Sequence, residues 1–276
     1  IRAPEGGARS RGLAGTGKTI ILTWKAAYLH YKYPHRKILY TFYTKSLYNQ
    51  IKEWILQFYQ KYSNKEPDWE KLNILHAWGG SAKRGVYYNT CLKHNLTAES
   101  MARYRFTKNP FGKVCQQLLN QVKGISLQEY DYVLIDEAQD MPLEFFKIIQ
   151  ELTIPPKRIT IAYDDMQNTE EIEMPQFEDL FGYDDEGKPS VQLKEDFILL
   201  KAYRNHRKVL NLAVAVGFGI YSKDGIIQII DKKDNWKVIG YNIKSGSLGP
   251  GEEIQVQRPP ENSPHDVEKI YPQLNS

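Results

Sequence analysis

The sequence predicts an α/β protein built on a parallel sheet, and three features carry that expectation. Short apolar runs ending in acidic residues, YDYVLIDE at 130–137 and RITIAY at 158–163, flank the helical segment PLEFFKIIQEL. Strand, crossover helix, strand is how parallel strands are joined. Upstream, a helix read over Gly17–Tyr33 and closed by Pro34 leads into KILYTFY at 37–43, a strand rich in aromatic and branched residues. Beyond the acidic, Pro- and Gly-bearing stretch 170–190, FILLKAY and HRKVLNLAVAV restart the same alternation.

Taken in order, PEGGARSR is a poor strand, so whatever strand precedes residue 12 must be short or distorted. KSLYNQIKEWILQFYQKY repeats Leu47, Ile51, Trp54, Ile55, Phe58 and Tyr62 at three- and four-residue steps, the stripe of an amphipathic helix packed on a core. LNILH at 72–76 reads as a strand running into the flexible AWGGS. Residues 79–128 lack strand signals and hold a helix over 110–123, begun by Pro110 and stopped by Gly124, which makes them a helical insertion. IIQIID, WKVIGYNI and EEIQVQ read as further strands, the last two separated by SGSLGPG. The expected division is a first domain over 1–190 and the beginning of a second over 191–276. The opening IRAPEGGARSR, with neither a signal-peptide core nor a transit-peptide pattern, reads as a fragment's edge.

Composition narrows the function classes. No run approaches the about 18 apolar residues of a membrane span, and 41% hydrophobic with 25% charged residues is ordinary for a globular chain. A net charge of +4 permits a nucleic-acid partner without requiring one. Cys91 and Cys115 are too few and too far apart for a disulfide framework or zinc site, which suits a reducing, cytoplasmic setting.

The chemistry starts at GLAGTGKT, residues 12–19. Gly12, Gly17, Lys18 and Thr19 occupy every fixed position of the phosphate-binding loop pattern. In such a loop, Gly12, Leu13, Ala14, Gly15, Thr16 and Gly17 turn backbone N–H groups toward phosphates, Lys18 adds a cation, Thr19 offers a hydroxyl to Mg²⁺, and the helix start adds its dipole. The competing reading is a glycine-rich turn capping a helix. VLIDEAQD then puts Asp136 and Glu137 at the carboxyl end of an apolar strand, where ligands of parallel sheets bind. Asp136 can hold Mg²⁺ through a water, and Glu137 can take a proton from the water attacking a γ-phosphate. A helix N-cap before Met141-Pro142 accounts for Asp140 but not for the 136–137 pair. The two motifs together point to nucleoside triphosphate hydrolysis.

In series, GLAGTGKT, TFYTKS at 41–46, the LHAWGG segment, DEAQD, YDDMQN at 163–168 and AYRN at 202–205 resemble motifs I, Ia, Ib, II, III and IV of the superfamily 1 helicases of the UvrD/Rep type. The resemblance implies a P-loop NTPase fold, a RecA-like parallel sheet with a helical insertion followed by part of a second RecA-like domain. It implies ATP and Mg²⁺ as cofactors and single-stranded DNA, with RNA not distinguished, as partner. Gln167 then contacts the γ-phosphate or attacking water, Tyr203 stacks on adenine, and Arg204 reaches the γ-phosphate. Thr41 and Lys45 touch the nucleic-acid backbone and Phe42 stacks on a base. For Phe42, core packing is the competing role; for Arg204 it is a surface ion pair; for His76, in the LHAWGG segment, it is a structural histidine.

The pattern departs from the family in three places. Thr169-Glu170-Glu171-Ile172-Glu173 is acidic and ringless where the family has strand-stacking aromatics, and like charge repels phosphate. No Gln precedes residue 50 to read adenine. Motifs V and VI are not found before Ser276, so the chain is expected to stop partway through its second domain and to turn ATP over slowly by itself. The reading is an ATP-dependent single-strand translocase or helicase; the alternative is a nucleotide-gated binding module with little translocation.

Overall fold

A computed structural model describes residues 4–104, 106–164, 175–218, 230, 232–248 and 252–263. In chain order the elements are β1 (Gly7–Arg11), α1 (Lys18–Lys32), β2 (Ile38–Phe42), α2 (Tyr48–Gln60), β3 (Leu72–His76), α3 (Val86–Lys93), α4 (Met101–Tyr104), α5 (Pro110–Gln121), β4 (Tyr130–Ile135), α6 (Leu143–Leu152), β5 (Thr153–Tyr163), α7 (Phe177–Phe181), β6 (Leu193–Ile198), α8 (Arg207–Gly217), α9 (Lys233–Val238), β7 (Asn242–Gly246) and β8 (Ile254–Gln257). The chain divides into two compact units. Among the described residues, 4–10, 19–163 and 175–197 form the first, and 11–18, 164 and 198–263 belong to the second.

The first unit is α/β, with a six-stranded parallel sheet in the order β3-β2-β4-β5-β1-β6. Strict alternation along the central strands explains why helices cover both faces. Ile38, Tyr40 and Phe42 of β2 and Tyr132 and Leu134 of β4 pack with Leu22, Ala26 and Leu29 of α1 and Ile51 and Ile55 of α2. Leu39, Val133, Ile135, Ile159 and Ile161 point the other way, onto α3, α5 and α6. Register holds β2 and β4 side by side, Ile38 opposite Tyr132 through Thr41 opposite Ile135. The segment 79–128 supplies α3, α4 and α5.

β1 shows why a weak strand sequence still pairs. It is five residues long and lies between β5 and β6. A Cβ on Gly7 would sit 2.4 Å from the Phe177 ring, and Ala8 is wholly buried, so only small side chains fit this crowded position. Arg9 is anchored to Asp196 of β6 at 2.7 Å.

Two strand expectations need correction. FILLKAY is strand only through Ile198: β6 runs from Leu193, the Leu199 N–H still bonds to the Arg11 carbonyl at the end of β1, and the chain then leaves the sheet, Tyr203 donating to the Gly15 carbonyl in the loop. In WKVIGYNI, Trp236–Val238 is helical. Trp236 and Ile239, three residues apart, both enter the second unit's core with Val214, Phe218 and Tyr241, and a helical turn places them on one face. Gly240, at φ +85°, ends that turn before β7, which pairs antiparallel with β8. IIQIID lies outside the described residues except Ile230.

Candidate functional site

In the first unit, β4 is buried along its whole length and delivers Asp136 at its carboxyl end, itself wholly buried. Two donors meet that carboxylate, the Tyr40 hydroxyl at Oδ2 at 2.9 Å and the Glu137 backbone N–H at Oδ1 at 3.1 Å, and the Thr19 hydroxyl lies near enough to favour its charged form. Burial pushes the carboxyl up to about 6, the neighbouring Glu137 charge adds to the rise, and the Tyr40 bond and the Thr19 hydroxyl oppose it. Glu137 takes the left-handed conformation, φ +48° and ψ +51°, uncommon for a residue with a side chain. Gln139 donates from Nε2 to the Glu137 carboxylate at 2.7 Å. Asp140 caps nothing: the N-cap of α6 is Pro142, with no side-chain cap bond.

In the second unit, the loop 12–18 turns on itself. Thr16 donates to the Leu13 carbonyl from both its backbone N–H and its hydroxyl, at 3.2 and 2.9 Å. The Lys18 ammonium is bound by the carbonyls of Gly12 at 2.8 Å and Leu13 at 3.3 Å, with the buried Asp164 carboxylate at 3.5 Å. Gly15 and Gly17 sit at φ +83° and +90°, conformations that glycine adopts at least cost. The segment after β6 braces this loop: Tyr203 N–H donates to the Gly15 carbonyl at 2.9 Å and the Asn205 amide to the Ala14 carbonyl at 3.1 Å. The Tyr203 ring and the Arg204 side chain beside it are exposed. Leu13 anchors the loop from below, buried with Val214 and Trp236.

The residues assigned to nucleic acid behave differently. Thr41 and Phe42 are wholly buried; the Phe42 ring packs among Tyr40, Tyr48 and His76 at centroid distances of 6.3–6.4 Å. Phe42 therefore fills core and presents no face for a base, which corrects the stacking expectation, and Thr41 reaches no surface phosphate. His76 is also buried: its Nδ1 accepts from the N–H groups of Trp78 at 3.1 Å and Gly79 at 3.0 Å, pinning the turn after β3. Burial pulls its pKa down to about 4, so it is neutral near pH 7. Lys45 alone of the four is exposed, on a short turn before α2. Gln167 lies outside the described residues.

No protein-family model matches the chain, and no curated protein sequence does either. The site must be read from its own geometry.

Sequence reasoning missed the residues that hold others in place. Tyr40, Gln139, Asn205 and Asp164 each fix a predicted site residue. Gln139 and Asp164 stand inside the quoted DEAQD and YDDMQN segments, where a search for partners could have found them. Tyr40 reads as an ordinary strand aromatic, and Asn205, although it closes the quoted AYRN segment, shows its partner Ala14 only once the chain brings it to the loop. As to metal, no group of three His, Cys, Asp or Glu side chains could hold an ion among the described residues. The paired Thr19 hydroxyl and Asp136 carboxylate nevertheless fit Mg²⁺, a hard cation that takes few protein oxygens and completes its shell with water and phosphate. No helix of the described residues is long and apolar enough to cross a membrane.

Proposed function

We propose that the chain is a cytoplasmic P-loop NTPase of the RecA-like kind, a motor of the UvrD/Rep type that hydrolyses ATP with Mg²⁺ and acts on single-stranded DNA or RNA. The observation that carries the reading is the buried Asp136 carboxylate beside the half-buried Thr19 hydroxyl, with Glu137 next along the chain in a left-handed turn and its carboxylate bonded by Gln139. A carboxylate buried at a strand end costs the fold stability, a cost that service to a ligand accounts for. In this scheme the backbone of 12–17 and Lys18 bind the phosphates, and Thr19 and Asp136 hold Mg²⁺, which supplies charge neutralisation at the phosphates. Glu137 accepts the proton of the attacking water, Tyr203 offers its exposed ring to adenine, and Arg204 and Gln167 act at the γ-phosphate. Lys18 must exchange its carbonyl partners for phosphate oxygens, stronger charge-assisted acceptors.

The nucleotide-gated binding module is favoured by one observation, the burial of Thr41, Phe42 and His76, which removes the strand contacts expected of a motor. Steady-state ATPase measured with and without single strands separates the two. A steep rise supports the motor; nucleotide-dependent partner binding without stimulation supports the switch. In either case Lys18→Ala abolishes tight ATP binding in calorimetry, and unchanged affinity rules out the phosphate loop.

A further inference from the structure

β3 is the terminal strand of its sheet, and among the described residues only an isolated bridge from His76 to Gly85 occupies its outer edge. Between that edge and α2 lies a cavity of about 180 Å³, lined among others by Tyr48, Lys52, Trp69, Asn73 and Leu75. No lining residue is a carboxylate. Two cation–ring pairs frame it: the Lys52 ammonium stands 5.1 Å from the centre of the Trp69 ring, and that of Lys83 stands 4.2 Å from the centre of Tyr48. Asn73 spends its Nδ2 on the carbonyls of Trp69 and Glu70, which leaves Oδ1 as an acceptor. Glu70, beside Trp69 in sequence, is exposed and does not line the cavity.

Rings flanked by exposed ammonium groups, in a cleft without acids, match a ligand that carries both a planar face and an anion. An extended peptide added to the β3 edge fits less well: the Gly85 bridge already occupies the carboxyl end of that edge, and the lysines are better matched by an anion than by neutral carbonyls. We propose that this cavity binds one nucleotide of a single strand, the base against Trp69 and Tyr48 and the phosphate against Lys52 and Lys83. The proposal rests on single-stranded nucleic acid being the partner. It supplies the ring contact that Phe42, being core, does not make. Lys45 and Lys83 both lie close enough to His76 to oppose its protonation, so basic side chains continue from the turn after β2 toward this cavity.

The test is fluorescence anisotropy of the chain with a labelled oligothymidylate and with an abasic strand of the same length and charge. Wild type should prefer the strand that carries bases. Trp69→Ala should weaken its binding about 5- to 150-fold and erase that preference, whereas Trp69→Phe should retain most of the affinity. Exposed Lys52→Gln, whose folding is not at issue, should lower the salt slope by about 1. No strand binding, equal binding of both strands by wild type, unchanged affinity in a folded Trp69→Ala, or an unchanged slope in Lys52→Gln overturns the proposal. ATP·Mg²⁺ binding to wild type, measured in parallel by calorimetry, keeps the two readings apart. Trp69-dependent strand binding in a chain that takes no ATP sustains this site and sinks the motor. ATP binding with strand affinity indifferent to Trp69 sinks this site alone.

Discussion

Two neighbouring strands of one sheet end in opposite ways. β4 hands on Asp136 and Glu137, polar groups whose oxygens are met by Tyr40, Thr19 and Gln139. β2 ends in Thr41 and Phe42, buried just as deeply; Phe42 is held by surrounding rings, and the Thr41 hydroxyl has no partner among the described residues. A buried carboxylate persists at a strand end only where donors offset its desolvation, and that requirement assembles a site around it. A ring at the same depth needs only neighbours. Similar burial therefore demands polar partners in one case and only packing in the other.

The most forceful way to break this comparison is Phe42→Ala. As core, it should lose about 3–5 kcal/mol of stability in denaturant unfolding, while Phe42→Leu, folded, binds single strands as wild type does. A milder stability loss, together with weakened strand binding by Phe42→Leu, would return Phe42 to the surface role. Next in size, Glu137→Gln should bind ATP normally and hydrolyse it about 10²-fold or more slowly, the range for a positioned general base; near-normal single-turnover rates would remove Glu137 from that role.

The third test sharpens what burial costs at Asp136. Its carboxyl titrates near 6 in the fold, above its ordinary value near 4, so stability present below pH 4 is lost as pH rises through 6. Asp136→Asn removes that loss and should raise the stability of the ligand-free chain at pH 7 by about 1–3 kcal/mol, with little gain at pH 4. Thermal unfolding across that range would show it, and destabilisation at pH 7 would contradict it. The smallest effect belongs to His76, whose depressed pKa has the opposite sign. Stability is full above 6.5 and falls as pH drops toward 4, by about 1–2 kcal/mol between pH 7 and 5. The difference between wild type and His76→Gln over that interval measures it. Strand affinity should show no step near 6.5, as it would if an exposed His76 met phosphate.

What the sequence by itself determined is what the backbone encodes locally. LNILH, KILYTFY and YDYVLIDE announce β3, β2 and β4 because a buried strand needs a contiguous run of apolar residues. Pro110 opens α5 because it fits a helix start, and Gly124, at φ +79°, turns the chain just beyond the helix end at Gln121. GLAGTGKT was legible as a glycine-bearing turn before a helix, because glycine takes the positive φ values at 15 and 17 at least cost. Only the tertiary structure decided which way rings face and who holds whom. Phe42 and Trp69 are both aromatics beside strands, and one is sealed by α2 and His76 while the other lines an open edge. Tyr40 lies 96 residues from Asp136 and Asn205 lies 191 from Ala14, so no local pattern signals either bond. β1 is the plainest case, a strand that GARSR does not announce, made by the crowding of Phe177 and the pairing of Arg9 with Asp196. Propensity acts over a few residues, whereas burial and partner choice are set by contacts between segments far apart in the chain, and only the fold brings those segments together.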